Sequence, residues 1–262
     1  MTTLVYAVND SATMLRRNLR HLLRYPSMTV MLVGMPVIFL LLFIYVFGGT
    51  LGAGLAGGGS RTAYANYVAP GIILMTVAAI VQGTAVSVAM DMTEGIVARF
   101  RTMAIFRASV LTGHVLGSMI KAMLSIAVVV GVALLTGFRP TAGPLAWIAA
   151  VGILAMITFA LTWLAVALGL ASKSVETASN SPMFLILLPF LGSGFVPTRS
   201  MPTGLRWFAE YQPFTPATET VRGLLMGTRI GGNAIITIAW SAGIALLAYV
   251  WARKLYSRDP VW

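Results

Sequence analysis

Cysteine is missing from this chain, which excludes disulfides, thiolate metal sites and cysteine nucleophiles. Histidine occurs only at His21 and His114, too few and too far apart for a metal cluster. Acids are scarce too. The seven are Asp10, Asp91, Glu94, Glu176, Glu210, Glu219 and Asp259, and all fall outside the apolar cores of the spans read below. Proton-coupled carriers rely on intramembrane acids or histidine relays, so ion-coupled transport is disfavoured. A phosphate loop of the form Gly-x4-Gly-Lys-Ser/Thr is absent. The nearest approach, Lys173-Ser174, follows Ser172 instead of glycine, so ATP binding by that device is not expected. Both histidines lie on polar or basic flanks, away from any membrane-embedded serine, which disfavours an intramembrane hydrolase.

What the chain does have is apolar length. Of its 262 residues, 58% are hydrophobic and 10% charged, with mean hydropathy +0.87. Soluble domains carry about 25% charged residues. The expected fold is all-α: a polytopic integral membrane protein of about six spans, each of roughly 20 residues, forming one domain over residues 1–262. The net charge of +11 would suit a nucleic-acid binder, but the arginines flank apolar blocks and form no continuous basic surface. Nucleic acid is therefore not an expected partner, whereas membrane lipids are.

Residues 1–27 read as an interfacial amphipathic helix. Met14, Leu15, Leu19, Leu22 and Leu23 share one face, and Arg16, Arg17, Arg20 and Arg24 occupy the other, suited to anionic headgroups. An extended, solvated basic flank is the alternative. The apolar run that follows is too long for a cleaved signal peptide. The spans are placed at Met28–Phe47 with a kink at Pro36, Tyr67–Met90, a third ending at Leu135, Leu145–Ala171, a short or broken Pro182–Val196, and Asn233–Trp251. Gly48–Ser60 reads as a flexible external loop. The Gly52–Gly57 pattern G-x-G-x-x-G within it lacks the strand–helix setting of a dinucleotide site. The third span starts near Val110, which puts Lys121 near the midplane as a candidate for a translocation path, or near Gly117, which lets Lys121 snorkel. Residues 197–228 are too polar to span and too apolar for an ordinary loop. They form either a re-entrant helix pair or an interfacial hairpin lying flat.

Counting lysines and arginines with the N-terminus inside puts eleven in cytosolic segments and six in outer ones. The positive-inside rule therefore expects both termini in the cytosol of a cell inner (plasma) membrane. The same count makes Asp91–Arg107, DMTEGIVARFRTMAIFR, cytosolic. Ile96, Phe100 and Met103 fall on one helical face there, with Arg99, Arg101 and Arg107 off it. A short amphipathic helix between two spans requires a partner outside the bilayer.

The run Glu94-Gly95-Ile96-Val97-Ala98-Arg99-Phe100-Arg101-Thr102-Met103-Ala104-Ile105, followed by Arg107 and Val110-Leu111-Thr112-Gly113, resembles the coupling segment of type-2 ATP-binding-cassette (ABC) exporter permeases. The closest branch is the daunorubicin-resistance type. The stretch from Pro197 through Trp207, Pro213, Pro216, Glu219 and Arg222 is similar to that family's external re-entrant hairpin, and the N-terminal helix also matches. Many relatives carry proline where this chain has Ala104, so the turn after the coupling helix is softer here or the helix longer.

The resemblance implies a permease subunit that is not itself an enzyme. Its coupling helix over 91–109 would engage a cytosolic ABC ATPase through Glu94, Gly95, Ile96, Arg99, Phe100, Arg101, Met103 and Ile105. Two ATPase subunits would hold Mg-ATP, with no cofactor on this chain. A second permease, identical or related, would complete the complex. A hydrophobic or amphiphilic substrate is implied, either a drug or antibiotic or a cell-envelope lipid or glycolipid. A membrane scaffold without transport is the rival from another class.

Overall fold

The computed structural model describes residues 26–53, 60–93 and 107–257. Every regular element among them is helical, and five helical stretches are long and apolar enough to cross a membrane: Val33–Gly52, Arg61–Thr93, Leu111–Leu135, Pro144–Ala171 and Asn233–Tyr256. The first combines α1 (Pro26–Leu42), a π-helical turn (Phe43–Phe47) and α2 (Gly48–Ala53). The others lie in α3 (Arg61–Thr93), α4 (Arg107–Leu135), α5 (Pro144–Ala171) and α10 (Asn233–Ser257).

The second span, placed at Tyr67–Met90, lies within a longer helix, Arg61–Thr93. The glycine-rich loop expected from Gly48 is helical as far as Ala53. In hydrocarbon, unpaired carbonyls cost more than the flexibility lost by glycine, so the helix persists. α1 continues through Pro36, and a π-turn follows at Phe43. Inside these helices, threonine hydroxyls donate to carbonyls one turn back. Thr76 to Ile72, Thr158 to Leu154 and Thr218 to Phe214 are examples, and this bond lets a polar side chain sit fully buried.

α3 is the central helix, buried along most of its length and touched by α1, α4 and α5. The end of the bundle where α3 begins is fixed by three contacts. Gly48 packs against Arg61 and Tyr64, Asn66 accepts the Arg139 N–H at 2.7 Å, and the Leu225 carbonyl accepts from Thr141 and Ala142. α3, α5 and α10 therefore start at one end, where α2 and α4 finish.

The chain must then return from the far end of α5 to the start of α10, and it does so without a long helix. α6 (Val175–Asn180), capped by the Ser174 hydroxyl, is followed by α7 (Met183–Leu187) and a run of turns to Phe195. Gln82 donates to the Ser179 carbonyl and Tyr64 to the Phe195 carbonyl. Residues 64 and 82 stand roughly 27 Å apart along α3 at 1.5 Å per residue, so residues 179–195 climb most of its length. Pro189, Gly192 and Gly194 explain why this climb is broken.

α8 (Thr203–Tyr211) and α9 (Phe214–Met226) follow. α8 exposes Leu205, Trp207, Phe208 and Tyr211, whereas α9 is buried on α3, α5 and α10. Phe214, at the start of α9, shares a small apolar gap with Ile157 and Leu161 of α5 and Trp240 and Ser241 of α10. Its last turn meets the Thr141 loop, and Gly227 ends it in the left-handed region at φ +65°.

Candidate functional site

The coupling residues Glu94, Gly95, Ile96, Arg99, Phe100, Arg101, Met103 and Ile105, and the basic residues Arg16, Arg17, Arg20 and Arg24, lie outside the described residues. The helices on either side of the coupling segment are described. Asp91 to Thr93 form the last turn of α3, and Arg107 opens α4, so both edges of the interval read as 91–109 belong to the flanking helices. Near those edges the two helices are joined twice by polar contacts. Asp91 Oδ2 lies 3.0 Å from His114 Nε2, and Thr84 donates to the Ser118 hydroxyl at 2.7 Å. All four residues are buried. Asp91 is two turns beyond Thr84 on α3 and His114 one turn before Ser118 on α4, so each pair shares one face of its helix.

A separate apolar cluster surrounds these contacts. It holds Val88 of α3, Leu111 and Val115 of α4, Trp163 and Val166 of α5, and Ala252 and Tyr256 of α10. α5 approaches closely because Gly169 has no side chain. A Cβ there would stand 2.6 Å from the Ala85 carbonyl and 2.9 Å from Val88 Cβ. The Asp91–His114 contact was missed by sequence reading, which set Asp91 in a polar interruption and His114 on a basic flank. The available signal was that polar residues share a helical face on two neighbouring helices, Thr84 with Asp91 and His114 with Ser118.

Lys121 lies on the same α4 face as His114, Ser118 and Ser125, at i+7, i+4 and i+11 from the histidine. It is half-buried between the two buried serines, while Leu116, Ile120 and Leu124 are exposed. α4 is continuous from Arg107 to Leu135. Lys121 therefore sits roughly 10 Å along the helix from His114, toward the bundle centre.

At the other end, α9 is stitched to the broken climb of residues 179–195. Arg222 donates to the Tyr67 carbonyl through Nε and Nη2 at 3.2 and 3.0 Å, to the Ser193 carbonyl at 2.7 Å, and to the Glu219 carboxylate. Its guanidinium also lies 3.9 Å from the centre of the Tyr67 ring. The planar fork suits this work, because one side chain reaches three oxygens in different directions. Ten residues earlier, Gln212 donates to the Leu188 carbonyl and to Thr215, whose hydroxyl accepts the Ser193 N–H. Gly192 makes room, since a Cβ there would stand 2.3 Å from Gln212 Nε2. Of the residues singled out in sequence, Glu219 and Arg222 come together, Pro213 lines the gap beside Phe214, and Trp207 stands apart, exposed on α8 against Tyr211. The whole arrangement fixes helices to one another and suits mechanical coupling.

Comparison with known proteins places this geometry. A family model described as ABC-2 type transporter matches residues 11–226. A daunorubicin resistance ABC transporter permease protein of Streptomyces coeruleorubidus is 29% identical over 251 residues, 95% of this chain and 87% of that protein. A protein of Mycobacterium tuberculosis described as a probable doxorubicin resistance ABC transporter permease is 23% identical over 166 residues, 63% of this chain and 60% of that protein.

Proposed function

Because the chain belongs to the ABC-2 type transporter family, we propose that it is the permease subunit of an ATP-driven exporter that moves hydrophobic or amphiphilic drugs or antibiotics out of the cell. The observation that carries this is the similarity to a daunorubicin resistance permease over 95% of the chain. Separate cytosolic ATPase subunits, two per complex, hydrolyse Mg-ATP. They engage Ile96, Phe100 and Met103, framed by Glu94, Gly95, Arg99, Arg101 and Ile105, while the N-terminal helix with Arg16, Arg17, Arg20 and Arg24 lies on the inner membrane surface. A second permease completes the pathway.

Six crossings, both termini cytosolic, follow when the broken climb from Ser179 to Phe195 counts as the fifth. The depth to which Phe214 reaches beside Ile157 and Leu161 supports a re-entrant α8–α9 pair over a hairpin lying flat. The apolar gap there and the aromatic rings of Phe39, Phe43, Phe190 and Phe195 suit an amphiphile.

Co-purification tests the proposal. Wild-type chain expressed with its ATPase should yield a stoichiometric complex that exports daunorubicin from loaded cells, and the pair Phe100→Asp with Met103→Asp should lose the ATPase. A stable chain that never retains an ATPase would sink the proposal. Stimulation of hydrolysis by envelope lipids but not by daunorubicin would move the substrate to the lipid class.

A further inference from the structure

We propose that Asp91 and His114 form a positioning clasp, which makes the ends of α3 and α4 one rigid lever around the coupling segment. The proposal rests on the transport reading above. A push on the coupling segment does work in the membrane only if it moves the spans. If α3 and α4 could slide or splay, the displacement would be absorbed between them. The structure opposes both motions. The buried Asp91–His114 contact at 3.0 Å ties the helices three residues before Glu94 and seven after Arg107. The Thr84–Ser118 bond at 2.7 Å lies two turns deeper along α3. Two contacts at different heights fix rotation as well as separation, which one contact cannot do.

The lever also has somewhere to deliver its motion. Val88, Leu111 and Val115 lie one turn or less from the clasp residues and belong to the cluster shared with Trp163, Ala252 and Tyr256. Close-packed side chains transmit displacement because they have little room to yield. The close fit of Gly169 against Ala85 and Val88 adds α5 to the same body. Asp91 and His114 act through helix position and touch no transported molecule.

The test uses the permease–ATPase complex in nanodiscs and reads the ATP hydrolysis that depends on the permease. Asp91→Ala and His114→Ala should each assemble with the ATPase yet lose at least about five-fold of that hydrolysis, the low end of coupling between two sites. The exchange Asp91→His with His114→Asp should restore most of it. A purely packing role would not be rescued by swapping two such different shapes.

Because the chain lacks cysteine, Thr84→Cys with Ser118→Cys provides an arm that does not depend on the stability of the clasp variants. Its disulfide should form equally well in nucleotide-free and vanadate-trapped complexes and should leave hydrolysis intact. Cross-linking confined to one state, or a disulfide that abolishes hydrolysis, overturns the rigid lever. So do single variants that assemble and hydrolyse like wild type. A wild-type chain that recruits no ATPase overturns the transport reading itself, a result distinct from all of these.

Discussion

Arg222 brings a full charge into the end of the bundle where α3 begins and leaves it 8% exposed. The charge is tolerable because a carboxylate and two carbonyls receive it. Two of those oxygens, on Tyr67 and Ser193, belong to different segments, so the residue joins α9, α3 and the broken climb at once. Arg222→Ala is expected to destabilise the protein by about 2–4 kcal/mol, since it strands buried acceptors as well as removing contacts. Arg222→Lys should lose about half of that, because an ammonium cannot fork to three acceptors. Glu219→Gln should cost least, its side chain being 35% exposed. Thermal unfolding in detergent, followed by tryptophan fluorescence, reads the order. If Glu219→Gln proved as damaging as Arg222→Ala, the ion pair and not the carbonyl anchors would be the main bond. The Arg222–Glu219 pairing was legible from i, i+3 spacing. The partners on Tyr67 and Ser193 were not, because only the folded topology brings residues 155 and 29 positions away to the guanidinium. Asp91 and His114, 23 positions apart, were hidden for the same reason.

The elements were most legible where apolar length alone decides. The fourth span was placed from Leu145 to Ala171 and is helical from Pro144 to Ala171; the last was placed from Asn233 and begins there. Legibility failed where glycine acts differently in a bilayer than in water. Gly48–Ala53 stays helical, whereas Pro182–Val196 was read as short or broken and does fold as α7 followed by turns. The broken climb of residues 179–195 depends on contact between backbones. A Cβ on Gly71 would stand 2.5 Å from the Gly194 carbonyl, and backbone cannot step aside as a flexible side chain can. Gly71→Ala is therefore expected to cost about 1–3 kcal/mol and to push residues 189–195 off α3. Gly152→Ala has nothing within 4 Å to meet and should be neutral or stabilising by up to about 1 kcal/mol. Melting temperatures of the two variants measured side by side check this. Equal melting would mean that the climb rests on its phenylalanines instead, with Phe190 stacked on Phe195 at 4.4 Å and Phe43 at 4.6 Å from the same ring.

For the whole molecule, the count of crossings decides on which side each end lies. Five long helices alone would put the ends of the described chain on opposite sides of the membrane. The climb of residues 179–195 along α3 adds a sixth passage, so that α1 begins and α10 ends at the same end of the bundle. In the proposed orientation, the distribution of lysine and arginine would make that end cytosolic, where an ATPase would find ATP. Cysteine scanning tests the two statements together, because the native chain has no thiol to label. Thr203→Cys, on exposed α8, should react with a membrane-impermeant maleimide in intact cells. Lys173→Cys and Arg253→Cys, both at exposed positions, should react only after permeabilisation. Labelling of Lys173→Cys and Thr203→Cys from the same side would show that residues 174–196 do not cross. The α8–α9 pair would then be an inner feature, and the orientation drawn from the charges would be wrong for the second half of the chain.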